Sequence, residues 1–423
     1  MTAHTVTVKS EAKRASSEVQ LRSLLFAHHT SRRRRALVAV QVGVMLFVLL
    51  GMAALTIDVG TLYNARGDLQ RTSDAAALAG ASVYATDAMM RIRMGTAGSD
   101  TVASVISLAS SRVGQFAGLN PTFGTTYSNV NPGDILTGWM DLYSASASIQ
   151  LNPLPRNLNA VQVTVRREAG GEEGANEPVQ FFFAPIFGRL VGEASATAVA
   201  VFDDRVSTIA TSVPGAGILP FTIHENAFAS ELAAGGDSYS YNESSDTVTR
   251  ASDGIREIRL YPYPLSGSGY TEGDGNFGVL NIGTGNQGLE AERQQILNGI
   301  TPYDLELEIG TSDLTFYDDD GNPVTYDITG SPGLEASLKS TVSQIIGHVV
   351  GFFLHDNVVL SGSNATYTIT QIRYGRVMAI RLTGSPNQRG LFVQPVSYTG
   401  GEIRIDPQAP STGGLVGRLV LSR

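Results

Sequence analysis

The sequence predicts an α+β protein: a single N-terminal transmembrane helix that continues as an amphipathic stalk helix, followed by exported, strand-rich α+β domains. Three observations carry this. Residues 36–57 hold no charged side chain and directly follow four arginines, Arg32, Arg33, Arg34 and Arg35. Apolar and small residues then recur at steps of three and four as far as Val83. Beyond about residue 96 the composition turns to Gly, Ser, Thr and Asn with short β-branched runs, in a chain that holds 46 Gly.

Taken in order, residues 1–35 form a basic tail with Lys9, Lys13, Arg14, Arg22 and the four arginines against Glu11 and Glu18, a net charge of +6. At 1.5 Å per residue the uncharged stretch 36–57 makes a helix about 33 Å long, enough for a hydrocarbon core of roughly 30 Å. Its polar residues are Gln41 and Thr56, too few for the wet face of a soluble helix. The residues after the tail carry 22 basic and 37 acidic side chains, so the positive end is expected in the cytoplasm and the acidic bulk outside, at the inner (cytoplasmic) membrane. The basic tail reads as a topology signal and a contact for anionic membrane lipids rather than a nucleic-acid site. Because the span is longer than a typical signal core and no clean Ala-x-Ala site stands just after it, it is expected to be retained.

Residues 58–95 read as the stalk. Leu62, Ala65, Leu69, Thr72, Ala76, Gly80 and Val83 line one apolar, mostly small face, and Arg66, Asp68, Arg71 and Asp74 line the opposite one. Small residues admit another element closely. That element is either the chain's own domain or a second membrane protein.

The residues of this segment resemble the N-terminal segment of TadG-like proteins of the tight-adherence (Flp-type) pilus assembly system. The matching positions are Asp58, Val59, Gly60, Leu62, Tyr63, Arg66, Leu69, Gln70, Asp74, Ala75, Ala76, Ala77, Leu78, Ala79, Gly80 and Ala81. A looser likeness continues through residues 159–165, 179–188 and 194–202. The resemblance implies a membrane-anchored structural or assembly component whose partners are other pilus-assembly or pilin-like subunits, and it brings no catalytic residue. Two features depart from the family. After Gly43 the chain runs Val-Met-Leu-Phe-Val, without the Glu that marks a prepilin-like processing site, and no Asp-x-Ser-x-Ser metal motif is present.

In the exported part, a small α+β domain is expected over 96–205, with a helical run near 102–116, strands at 161–165 and 194–202, and a Phe-rich helical turn at 181–188. A Pro/Gly break at 214–217 opens a strand-rich C-terminal domain, 206–423. Within it the sequence predicts a hairpin over 314–328, a helical stripe of Leu334, Leu338, Val342, Ile345 and Val349, and several short strands over 367–405.

Catalytic and cofactor signals are weak. Gly283-Thr-Gly-Asn-Gln-Gly288 has the spacing of a pyrophosphate-binding turn, with Glu306 and Glu308 about 20 residues on, but in so glycine-rich a chain the simpler expectation is a turn before a helix. Asp318, Asp319, Asp320 and Asn322 offer oxygens to calcium, yet Gly321 breaks the EF-hand order and a tight turn accounts for the acids. His348, His355 and Asp356 lack the helical spacing of a zinc pair. No cysteine is present, and Lys339, the only lysine after the span, follows no phosphate loop. No enzyme, metal or cofactor is expected. The alternatives to pilus assembly are an anchored adhesin or cell-envelope protein and, less favoured, an exported cofactor-binding domain.

Overall fold

The computed structural model describes the backbone of residues 4–97, 99–122, 130–144, 148–168, 176–261, 277–283, 288–333, 336–361, 364–384 and 388–422, with side chains from residue 38 onward except 99 and 100. The chain divides into two compact units: Met1–Gly67 with Arg167–Gly171 and Glu177–Ala194, and Asp68–Arg166 with Glu172–Asn176 and Ser195–Arg423. A single helix, α1, His4–Ala81, contributes to both.

In the first unit, α1 includes a stretch long and apolar enough to cross a membrane, with mean hydropathy 2.4 over its most apolar window and none of that window buried. Every side chain from Val38 to Leu50 is exposed. The unit's other element is a small antiparallel ribbon, Val179–Gln180 with Val191–Gly192, closed by a 3₁₀ turn at Ala184–Phe187. Gly188, at φ +80°, ends that turn in the left-handed region that glycine occupies without a steric cost.

In the second unit α1 ends at Ala81, earlier than the stalk expected over 58–95. A short 3₁₀ turn, Ser82–Ala85, and the extended Thr86 separate it from α2, Asp87–Met94. The break lets the buried Tyr84 donate its hydroxyl to the carbonyl of Ala160, 3.2 Å away, while Thr86 Oγ1 bonds the carbonyl of Val83. A third helix, α3, Ser99–Leu119, follows, and fuller turns extend the run expected at 102–116.

The strands Ala160–Arg167 and Ala194–Asp203 lie at the centre of a six-stranded sheet. Strand Ala160–Arg167 alternates buried and half-buried residues along most of its length, as a strand with one face on a core should. The last strand of the chain, Val416–Ser422, pairs antiparallel with Ala194–Asp203. The segments 96–205 and 206–423, expected as separate domains, thus share a sheet, and 206–423 does not close on itself.

The core of the unit is a small closed barrel. Strands Ile218–His224, Phe277–Leu280, Tyr326–Pro332, Asn364–Arg381 and Val349–Ser361 pair in that order, and the last returns to the first through a parallel ladder. Closure removes the free edges that invite aggregation. All seven residues of Ile218–His224 are buried, and Phe221, Phe277, Ile328, Phe353, Tyr367 and Ile369 fill the barrel region. Gly278 is required there, since a β-carbon at this position would collide with the Tyr367 hydroxyl.

Three local expectations are corrected. The arms of the 314–328 hairpin meet through one bridge, Tyr317 to Pro323, and then diverge. Asp313–Thr315 pairs with Val206–Ala210, whereas Tyr326–Pro332 joins the barrel. Leu334 of the expected helical stripe lies outside the described residues, and the described part is a short run, 3₁₀ at Ala336–Leu338, α at Lys339–Val342 and 3₁₀ at Ser343–Ile345. Its buried Leu338, Val342 and Ile345 pack on the core, and Val349 already belongs to a strand. Over 367–405 the first expected strand is instead one strand of 18 residues, Asn364–Arg381, whose two ends pair with different neighbours, and the short strands Gly390–Pro395, Tyr398–Thr399 and Ile403–Ile405 follow it as expected.

Candidate functional site: the helix segment leaving the apolar span

Two faces of α1 between Asp58 and Ala81 have different surroundings. Asp58, Thr61, Ala65, Leu69, Thr72, Ser73, Ala76, Ala77 and Gly80 are buried, and Leu62 is half-buried. Val59, Gly60, Tyr63, Arg66, Gly67 and Gln70 are exposed, Tyr63 at 78 %. A β-carbon built on Gly60 or Gly67 would meet nothing within 4 Å.

Within the second unit the buried face is filled by the chain's own elements. A β-carbon on Gly80 would stand 2.7 Å from Val113 Cγ2, on α3, and 3.0 Å from Val161 Cγ1, on the central sheet. Thr72 donates to the carbonyls of Asp68 and Asn120, at 3.0 and 3.1 Å. Arg112 donates to Ser82 Oγ at 2.6 Å. On the polar side, Gln70 donates to Asp74 Oδ1 at 2.7 Å, and Arg71 pairs with Asp68. Such exposed pairs contribute little to stability.

In the first unit the notable group is Asp58. Its carboxylate is 3 % exposed and accepts the backbone N–H groups of Phe182 at 2.8 Å, Phe183 at 3.1 Å and Ala184 at 2.5 Å. An acid from α1 therefore satisfies the donors at the start of the 3₁₀ turn, which otherwise lack partners. A groove of about 610 Å³ runs beside it, lined by Phe47, Gly51 and Leu55 of the helix and by Phe181, Phe187 and Arg189 of the ribbon.

Residues 38–83 match the Tad family model, TadE/G-like Flp pilus assembly. No curated protein and no solved structure matches the chain. The matched segment thus takes in the exposed apolar helix, Asp58, and the two-faced stretch through Val83, while the turn that Asp58 caps lies outside it.

Of the residues singled out in the sequence, the Tad segment brings Leu69, Ala76, Ala77, Ala79 and Gly80 into the buried face and leaves Gly60, Tyr63, Arg66 and Gln70 open, with Asp74 and Ala75 half-buried between. Arg32, Arg33, Arg34 and Arg35 lie within the helical backbone, and their side chains fall outside the described residues. Sequence reasoning missed the partnership of Asp58 with the Phe-rich turn. Its signal was an uncharged run at 178–188 ending in Ala-Pro-Ile-Phe-Gly, but 124 residues of separation hid the pairing.

Residues 284–287 of the glycine motif lie outside the described residues; before them, the Gly283 N–H donates to Glu308 Oε2 at 3.3 Å. Asp318 spends its carboxylate on the N–H groups of Asp320 and Asn322 and on Asn322 Nδ2, bonds that hold it below the usual carboxylate range. His355 is buried, with Nδ1 2.8 Å from Thr222 Oγ1, and its ring meets those of His224 and Tyr367 edge-on. Burial lowers the His224 pKa. Among the described residues no three His, Asp or Glu side chains converge to hold a metal. A cavity of about 250 Å³ is lined by Arg93 and Asp204, but both are engaged: Arg93 donates to Ser397 and to the Gly414 carbonyl, and Asp204 accepts from Ser411 and the Gly414 N–H. Burial pushes Arg93 down to about 10.

Proposed function

We propose that this chain is a membrane-anchored structural or assembly component of a tight-adherence (Flp-type) pilus. Its basic tail lies in the cytoplasm, its apolar helix spans the inner membrane, and its strand-rich part is outside. It works through protein–protein contacts with other pilus-assembly or pilin-like subunits and carries out no chemistry of its own. The observation that carries this reading is the division of the Tad segment into two faces. The buried face holds the chain's own fold together, so beyond the apolar span the open stripe of Val59, Gly60, Tyr63 and Arg66 is available to another subunit. Gly60 admits a close approach, Tyr63 supplies a large amphipathic contact, and Arg66 supplies charge for register.

The test is photo-crosslinking from Tyr63 in intact membranes of piliated cells, with identification of the products. Crosslinks to pilus-assembly or pilin-like proteins are expected. Crosslinks only to unrelated envelope proteins, with piliation unaffected by loss of this chain, would favour the anchored adhesin or cell-envelope reading and overturn the assembly role.

A further inference from the structure

The ribbon that Asp58 caps has an unusual surface for a segment outside a membrane. Phe182, Ile186, Phe187 and Leu190 are all exposed, Ile186 at 78 % and Phe187 at 71 %, and no charged side chain occurs between Pro178 and Gly188. Its position along α1 is informative. The groove between ribbon and helix extends from Leu62 back to Phe47, which is 11 residues on the apolar side of Asp58. At 1.5 Å per residue that is about 16 Å, close to half of a roughly 30 Å hydrocarbon core. The ribbon therefore lies beside the outer half of the apolar helix rather than above it.

Irregular backbone is costly in lipid unless its polar groups are satisfied. Here the N–H groups of Phe182, Phe183 and Ala184 go to Asp58, that of Phe181 to the carbonyl of Leu190, that of Ile186 to Phe183, that of Gly188 to Pro185 and that of Arg189 to Ala184. Pro185 has no donor to satisfy. The Asp58 carboxylate is spent on those three amides. Arg189 follows the uncharged run on a side chain long enough to carry its guanidinium toward headgroup phosphates.

We propose that residues 178–190 form a membrane wedge, immersed in the same leaflet as the exported half of the span, with Phe182, Ile186, Phe187 and Leu190 in contact with lipid acyl chains. Lipid is the occupant because the exposed apolar surface of the ribbon is continuous with that of the helix: the exposed Phe47, Met52 and Leu55 line the same groove as the exposed Phe187. The wedge would fix the depth and rotation of the span, and so direct the open stripe around Tyr63. The inference rests on the membrane reading of residues 36–57.

The chain contains no cysteine, so single labelling sites can be introduced cleanly. The full-length protein, reconstituted alone into phosphatidylcholine–phosphatidylglycerol vesicles, carries an environment-sensitive fluorophore at Phe187→Cys or Ile186→Cys, with Met52→Cys as the span control and the exposed Ser244→Cys as the aqueous control. The expected result is a blue-shifted emission and quenching by nitroxide-labelled lipid at 186 and 187 that match those at 52 and are absent at 244. Aqueous behaviour at both 186 and 187 with lipid-like behaviour at 52 would overturn the wedge, leave the span standing, and assign the ribbon's apolar face to a protein partner. Aqueous behaviour at 52 as well would remove the span and the wedge together.

Discussion

Gly80 faces Val113 so closely that a β-carbon built on the glycine would lie 2.7 Å from the valine's Cγ2, with Val161 at 3.0 Å on the other side. Helix α1 can approach both α3 and the central sheet only because this position has no side chain. Gly80→Leu is expected to destabilise the second unit by about 1 to 3 kcal/mol through overpacking. Gly60→Leu, in open space, is expected to leave stability level or raise it by up to about 1 kcal/mol from helix propensity. Denaturant unfolding of the detergent-solubilised chain measures both. Equal effects at the two positions would contradict the packing described.

Asp58 predicts a local effect. Asp58→Ala leaves the amides of Phe182, Phe183 and Ala184 without their acceptor, at about 1 to 3 kcal/mol for a buried group left unsatisfied. Hydrogen exchange at these three amides is expected to speed up strongly in Asp58→Ala and less in Asp58→Asn, which keeps one acceptor oxygen. Exchange in the barrel strand Ile218–His224 should not change. Unaltered exchange at 182–184 would mean that Asp58 does not hold the turn.

Glu257 predicts a pH dependence. Its carboxylate is buried and accepts the N–H groups of Ser238 at 2.8 Å and Tyr239 at 3.0 Å. Burial pushes it up to about 7 from the usual 4.5, against the pull of those two donors. Between these values the folded chain holds a proton that the unfolded chain has released, so this group's contribution to stability falls as pH rises from about 4.5 to 7. Glu257→Gln, whatever its absolute stability, is expected to flatten that part of the profile. Thermal melts at pH 5 and pH 8 for both chains test it, and parallel profiles would refute the assignment.

Topology predicts a protection pattern. In spheroplasts, external protease is expected to degrade the acidic part and spare the tail and span, while an N-terminal tag stays intact on the membrane-bound chain. Replacing Arg32 to Arg35 with acidic residues should lower correct insertion, because the basic residues nearest the span set its orientation. Mature chains beginning between Gly43 and Gly60 would show that the span is processed.

The sequence by itself determined the features that depend on local composition and period. The uncharged stretch 36–57, the small-residue face of Leu69, Ala76 and Gly80, and the strands around 161–165 and 194–202 were legible because each is set by residues a few positions apart, in hydropathy, helical spacing or alternation. Tertiary structure decided what those local signals met. That Val113 and Val161 fill the face at Gly80, that Asp58 caps a turn 124 residues away, that Val416–Ser422 closes a sheet begun at Ala160, and that five strands close into a barrel all follow from pairings between distant residues. The helix end at Ala81 belongs with them. Nothing in the periodicity breaks there, and the helix stops where burying Tyr84 against the Ala160 carbonyl replaces further helical turns. A pattern along the chain records which face is apolar, but the surface that covers that face comes from elsewhere in the sequence and is chosen by packing.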